Sequence, residues 1–371
     1  MGGRPGSRVP GTGSRIDRRT LLATALSGTT ATAGCLAGAG SGLGEDSGEE
    51  RVDEVAMVSS PAGFDDDAFN DEALAGLQEA ASEYGFGIRT IQATQPERYE
   101  SVQADAAEEG HDLVVCASDY HTDALSTNAA TYPDQNWMLI NNAIQGADNV
   151  SGWIERNDQL SFLAGVVAGT MTGERFHHNR YRTDPESATV GFVGGEESDL
   201  LRAFERSYVE GARWANEDVE VLSGYGGSFE DPAGADRVAS AQIDDGADVV
   251  WHAAAGAGEG VFAAADRRGR FALGVDTDQS VAVEEYADVI LGSAVKAVDS
   301  ATYRVAKAVV EDEFEEVVGE RTLSVANGGV GFVVGREFED RLPEGVLEAV
   351  GDAEDALEEG RVDLSCGPTG C

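Results

Sequence analysis

The sequence predicts an α/β protein built as two lobes, each a doubly wound parallel sheet with helices on both faces. Two observations carry that class. From position 52 onward, short apolar runs alternate with longer stretches whose apolar residues recur at helical spacing. Runs such as Leu113–Ala117 are apolar at every position, as strands buried on both faces of a parallel sheet are. A third observation gives the lobe count. The alternation restarts after position 158 as a second series of similar size, and 371 residues suffice for two domains.

The first series predicts strands at 52–59, 87–93, 113–117, 137–140 and 150–154, with helices at 67–84 and 96–109. The second opens with a helix at 159–171 and passes through a polar surface excursion at 173–187. It continues as strands at 189–193, 219–225, 249–253 and 271–275, with helices at 200–216, 231–244 and 260–268. A strand at 289–293 is expected to return to the first lobe, followed by a helix at 296–310. A last short strand at 329–334 and an acidic helix at 345–359 complete the pattern. The implied boundaries are lobe 1 at 52–157, lobe 2 at 158–275, a return to lobe 1 at 276–323, a return to lobe 2 with the terminal helix at 324–362, and a tail at 363–371.

Residues 1–35 read as a processing segment. Asp17-Arg18-Arg19-Thr20-Leu21-Leu22 leads into a weakly apolar run that ends at Thr32-Ala33-Gly34-Cys35. The twin arginine resembles a Tat signal and the small residues before the cysteine resemble a lipobox, with Cys35 the lipidated residue. The apolar run is far short of the ~20 residues that span a bilayer. Residues 36–51, rich in Gly, Ser, Asp and Glu, read as a flexible tether. The expected location is the outer face of the cell membrane. Of the remaining cysteines, Cys116 lies in an apolar run and reads as a buried structural thiol. Cys366 and Cys371 flank Gly367-Pro368-Thr369-Gly370, a turn that suits a small terminal disulfide outside the cell better than a metal site.

Net charge is −42, from 68 acidic against 26 basic residues, and all the basic residues but Lys296 and Lys307 are arginine. Such an excess self-repels unless salt screens it, which points to halophilic adaptation. With 42% hydrophobic content the chain has cores to fold around, so acidic disorder does not fit. Nucleic acid is disfavoured as a partner for want of a basic face.

Open α/β sheets place ligands at the C-terminal ends of strands, and two lobes favour a pocket between them. Phe69 and Phe229 each follow a predicted strand, one per lobe, within polar loops. They read either as ordinary core or as a pair able to sandwich a planar base. Asp276, at the end of the strand at 271–275, reads either as a helix cap or as an acceptor for a vicinal diol.

Eight segments in order carry a family resemblance. They are Phe64-Asp65-Asp66-Asp67-Ala68-Phe69-Asn70, Tyr132-Pro133-Asp134, Ser161-Phe162-Leu163-Ala164-Gly165, and Val190-Gly191-Phe192-Val193-Gly194-Gly195. Then come Gly227-Ser228-Phe229-Glu230-Asp231, Gly246-Ala247-Asp248-Val249-Val250, Gly274-Val275-Asp276-Thr277-Asp278-Gln279 and Gly292-Ser293-Ala294-Val295-Lys296. Together they span most of 52–334, and the chain resembles the basic membrane protein (BMP) family of lipoproteins. The resemblance implies a type I periplasmic-binding fold, with a three-segment hinge near 155–158, 276–279 and 324–328. It also implies capture of a nucleoside, purine favoured, for the membrane permease of an ABC importer. Its ligand residues map onto Phe69, Asn70, Phe229 and Asp276, onto Gly256 or Gly258, and onto Lys296. Asn141 stands where the family usually has an aspartate against the base. An asparagine offers a donor as well as an acceptor, which opens adenosine, a pyrimidine nucleoside or another ligand. The alanines of Ala253-Ala254-Ala255 also depart from the family's glycine and threonine.

No catalytic constellation stands out. His177 and His178 fall in the polar excursion and read as exposed, His252 abuts the Gly-rich loop, and neither a nucleophile elbow nor a helical metal-binding histidine pair occurs. The sequence reading is therefore a monomeric binding protein without cofactor or metal. A receptor for a different solute is the second reading and a nucleoside-hydrolysing enzyme the third. The charge argument has its own test. Between 0.1 M and 1 M salt the screening length drops from about 10 Å to about 3 Å. Thermal melts of the folded body over that range should show the melting temperature rising steadily with salt; a flat response would mean the acidic excess is not under strain.

Overall fold

The computed structural model describes residues 52–371. The expected signal at 1–35, with Cys35, and the tether at 36–51 lie outside the described residues. β1 (Glu54–Val58) leads into α1 (Phe69–Tyr84), which ends at Gly85 in the left-handed conformation. β2 (Gly87–Ile91), α2 (Tyr99–Glu109), β3 (Leu113–Ala117), α3 (Thr122–Thr131), β4 (Trp137–Ile140) and β5 (Val150–Glu155) follow. Successive strand residues point to opposite faces of the sheet. Met57, Val115 and Ile140 therefore join Ala73 and Leu77 of α1 in one core, while Val58, Cys116 and Leu139 join Tyr99 and Val102 of α2 in another. Cys116 is buried and unbonded, as its apolar run implied.

The chain then crosses to the second lobe through α4 (Asn157–Gly173), buried along most of its length. The polar excursion forms a hairpin of β6 (His177–His178) and β7 (Tyr181–Arg182). His177 is exposed as expected, but His178 is buried, facing Asp288 Oδ1 at 2.9 Å and Arg341 Nη1 at 2.9 Å. β8 (Thr189–Gly194), α5 (Asp199–Ala215), β9 (Glu220–Tyr225), α6 (Pro232–Asp244), β10 (Val249–Ala253), α7 (Glu259–Arg268) and β11 (Phe271–Asp276) continue the winding, and α8 (Gln279–Ala282) is a single turn after β11.

Here the structure corrects the expected boundaries. β12 (Ile290–Lys296) hydrogen-bonds to β11 and stays in the second lobe instead of returning to the first. Its residues Ile290, Leu291 and Ala294 complete the second core. The crossing at 276–279 does not occur; it lies at Ala297, after which α9 (Val298–Val310) packs Val298, Ala301 and Val305 into the first core. β13 (Gly319–Leu323) is an edge strand of the first sheet. The third crossing follows it, leading to β14 (Val330–Val334) and α10 (Glu344–Glu358) on the second lobe. The first sheet runs β13-β5-β4-β3-β1-β2, all parallel, and the second β14-β12-β11-β10-β8-β9, with β14 alone antiparallel. The tail carries a disulfide between Cys366 and Cys371. Among the described residues no helix is long and apolar enough to cross a membrane.

α4 and α5 touch backbone to backbone, and glycine makes this possible. A Cβ on Gly165 would lie 2.1 Å from the Tyr208 carbonyl oxygen, and one on Gly211 would lie 2.0 Å from that of Phe162. Neither backbone can yield without moving a helix. Gly165→Val should therefore lower stability by about 1–3 kcal/mol or more. Gly173→Ala, at the open end of α4, should be neutral, and denaturant melts of the two variants would show the difference.

Candidate functional site

The C-terminal ends of the two sheets face one cavity. From the first lobe come Ser60 to Ala62 after β1, Ser118 to Tyr120 after β3, Asn141 after β4, and Phe69 at the start of α1. The second lobe supplies Ala253 to Ala255 after β10, Asp276 ending β11, Lys296 ending β12, Phe229, and Leu200, Leu201 and Phe204 of α5. Five residues singled out in the sequence thus meet here: Phe69, Asn141, Phe229, Asp276 and Lys296.

Lys296 is the centre of the charge arrangement. Its Nζ lies 2.9 Å from Asp276 Oδ1, with the two side chains 3% and 9% exposed. The contact is Coulombic more than directional, since Oδ1 accepts no aligned hydrogen bond among the described residues. Phe69 and Phe204 present their rings to the ammonium, with centroids 5.2 Å and 5.3 Å from Nζ, a cation–π arrangement across the two lobes. Burial raises the Asp119 carboxyl above its ordinary range, opposed in part by the backbone N–H groups of Asp119 and Tyr120 and, least, by Lys296. Asp276 and Asn141 both hold positive φ, 68° and 67°, turning the chain sharply at the ends of their strands. Phe229 covers Gly195, where a Cβ would come within 2.4 Å of the ring.

Three residues expected at the ligand do not line the cavity. Asn70 is fully buried and its amide is occupied. The Ser60 N–H donates to Oδ1 at 2.8 Å, and Nδ2 donates to Ser60 Oγ and Asp66 Oδ2, both at 2.8 Å. Asn70 therefore holds the loop after β1 in place. Asp66 in turn accepts from the N–H groups of Ala68, Asn70 and Asp71 and caps α1. Gly258 is pressed against His252, whose Cε1 would be 2.0 Å from a Cβ there. His252 is itself buried, with Nε2 3.0 Å from Gln279 Oε1, and burial lowers its pKa to about 4. Gly256 lies nearer the opposite lobe, with its Cβ direction 3.6 Å from Asp66 Cα. The loop reaches the cavity instead through Ala253 to Ala255. The lobes also touch where Gln279 Nε2 donates to the Asp67 carbonyl at 3.2 Å.

Sequence reasoning missed Ser118, Asp119 and Tyr120, although they follow a confidently apolar strand. It also missed Phe204, which sits inside a helix and stacks on Trp251 at 6.1 Å. Position after a strand was the available signal for the first three; for Phe204 there was none.

Glu155, the last residue of β5, is completely buried, and neither carboxylate oxygen has a hydrogen-bond partner among the described residues. Burial lifts its pKa from 4.5 to about 7, against the opposing pull of Lys296. Because the folded state holds this proton more tightly than the unfolded chain, the stability Glu155 contributes is present below about pH 4.5 and is lost as pH rises through about 7. Glu155→Gln should therefore be more stable than the parent at pH 8, by on the order of 2–3 kcal/mol, and gain little at pH 4.5. Denaturant melts at the two pH values check this; an equal gain at both would show that the carboxylate does not titrate between them.

The match to known proteins agrees with this architecture. The profile of the family described as ABC transporter substrate-binding protein PnrA-like matches residues 53–354. The ABC transporter nucleoside-binding protein BmpA of Lactococcus lactis is 28% identical over 364 residues, covering 92% of this chain and 97% of that one. Basic membrane protein A of Borreliella afzelii is 27% identical over 237 residues, covering 62% and 68%. Among solved structures, an ABC transporter solute-binding protein from Aeropyrum pernix superposes with a TM-score of 0.68 at 26% identity, covering 84% of this chain and 92% of that one. A carbohydrate transporter solute-binding protein from Agrobacterium radiobacter, in complex with D-arabinose, shares the fold with a TM-score of 0.58 at 14% identity, covering 81% and 99%. The two lobes have the type I periplasmic-binding fold, and the chain belongs to the PnrA-like family of ABC transporter substrate-binding proteins.

Proposed function

We propose that this protein is a lipid-anchored receptor on the outer face of the cell membrane, working as a monomer at high salt, that captures a nucleoside between its lobes and presents it to an ABC permease. The observation that carries the ligand is the composition of the cavity: an aromatic ring from each lobe, Phe69 and Phe229, together with the buried Lys296–Asp276 pair. Two rings give a planar base its faces, and a carboxylate beside an ammonium gives a ribose diol an acceptor and a donor. The name of the Lactococcus lactis relative supports the same reading. Ligand binding would bias the lobes toward closure about the crossings at Arg156, Ala297 and Ser324, because the solute touches both lobes at once. Anchoring through Cys35 rests on the twin arginine and the lipobox-like segment, and needs more than one acyl chain to hold firmly.

The test is a calorimetric panel of purine and pyrimidine nucleosides, free bases, sugars and amino acids in molar salt, on protein beginning after Cys35. At least one nucleoside should bind. Phe69→Ala should weaken it by about 1–3 kcal/mol, and Asp276→Ala by about 2–5 kcal/mol as Lys296 loses its partner. Binding of a sugar or amino acid alone would replace the ligand while leaving the receptor.

A further inference from the structure

We propose that the disulfide-closed loop at the C-terminus fixes the polarity of the cavity wall, making Asn141 a hydrogen-bond donor toward the ligand. The solute it selects is then a nucleoside whose base turns an unprotonated ring nitrogen to that wall. The inference rests on the nucleoside reading above and names the class of base.

The chain of contacts begins outside the cavity. Cys366 and Cys371 close a ring in which the Gly367 N–H donates to the Gly370 carbonyl at 2.9 Å. The ring is docked on α5: the Ser365 N–H donates to Glu210 Oε2 at 3.3 Å, and the Cβ direction of Gly370 meets Asp199 at 3.6 Å. Held this way, the ring points the Pro368 carbonyl at Asn157, the first residue of α4 and part of the crossing between lobes. Asn157 Nδ2 donates to that carbonyl at 3.1 Å and to Asn141 Oδ1 at 3.0 Å.

A main-chain carbonyl can only accept, so it decides which end of the Asn157 amide faces it. That choice leaves Asn157 Oδ1 buried without a partner among the described residues. The reversed amide would set Oδ1 against the Pro368 carbonyl oxygen and lose that hydrogen bond even if Asn141 turned with it. With Nδ2 fixed toward Asn141, Asn141 must answer with Oδ1. Its own Nδ2 is then the group left for a ligand, and Asn141 lines the cavity. An aspartate at this position would accept from a protonated ring nitrogen, as in hypoxanthine or guanine. A fixed amide N–H instead meets a lone pair, as on the unprotonated ring nitrogen of adenine or cytosine. Asn157 and Pro368 are positioning residues in this scheme and need not touch the solute.

Adenosine and inosine serve as the probe pair, titrated calorimetrically against the parent, Asn141→Asp, and the double variant Cys366→Ser/Cys371→Ser. The parent should favour adenosine by about tenfold or more, and Asn141→Asp should reverse the order. In the double variant the Asn157 amide loses its fixed partner, so the adenosine-to-inosine ratio should fall toward one. A loop that merely stabilised the fold would weaken both nucleosides alike and leave the ratio unchanged. Reduction of the folded parent with a phosphine should give the same loss of discrimination, which covers the case of a double variant that does not fold. Faster hydrogen exchange at the Asn157 side-chain amide should accompany it. A parent that binds inosine as well as adenosine, or a ratio untouched by opening the ring, overturns the inference while leaving a nucleoside receptor. If neither these nor any other nucleoside binds, the nucleoside reading falls and takes this inference with it.

Discussion

Burying an ammonium requires opposite charge close by, and around Lys296 that requirement organises both lobes. Asp276 supplies the direct partner at 2.9 Å, Asp119 and Glu155 add negative field from the first lobe, and Phe69 and Phe204 cover the charge with ring faces. Removing Asp276 alone would leave the ammonium without its direct partner, because an unpaired charge in a low-dielectric interior is costly. A solute with hydroxyls can enter such a cluster by taking over part of the solvation that the protein groups now give one another. A purely apolar solute cannot.

The β12 strand changes how this cluster relates to lobe movement. Since β12 lies in the second sheet, Lys296 is the last residue of that stretch of the lobe and Ala297 the first of the crossing. At the first crossing Asn157, one residue beyond Arg156, meets the cavity wall only through its hydrogen bond to Asn141. Cavity contact and hinge are thus neighbours along the chain at the Ala297 crossing. A ligand that fixes Lys296 also fixes the backbone about which the lobes turn. Had the crossing fallen at 276–279, Asp276 would have held that place and Lys296 would have belonged to the opposite wall.

Most of the architecture was legible because buried parallel strands have a composition that little else has. Leu113–Ala117 and Trp137–Ile140 could hardly be anything but interior strands. What escaped was carried by weaker signals. α3 reads Thr-Asp-Ala-Leu-Ser-Thr-Asn-Ala-Ala-Thr, whose hydroxyl and amide side chains compete for the backbone and blur helical periodicity. β13 is an edge strand with exposed Glu320 and Thr322, so its apolar face is too thin to register. The lobe membership of β12 depends on pairing partners far away in sequence, which composition does not encode. At the site, residues chosen for chemistry and for place after a strand, such as Asp276 and Phe229, reached the cavity. Asn70 and Gly258 did not, because a motif residue can serve a loop as well as a ligand, and only the hydrogen bonds of Asn70 and the packing of Gly258 against His252 separate the two roles.

The molecule works in two electrostatic regimes. Its acidic surface repels itself over distances that salt shortens. The Lys296–Asp276 pair and the amides of Asn141 and Asn157 are buried, where mobile ions do not reach and screening is weak. Groups placed there are insulated from changes in the surrounding salt. The same separation accounts for the choice of groups. Surface charge is abundant and replaceable, whereas the cavity relies on one of only two lysines and on amides whose orientation is fixed by neighbouring carbonyls.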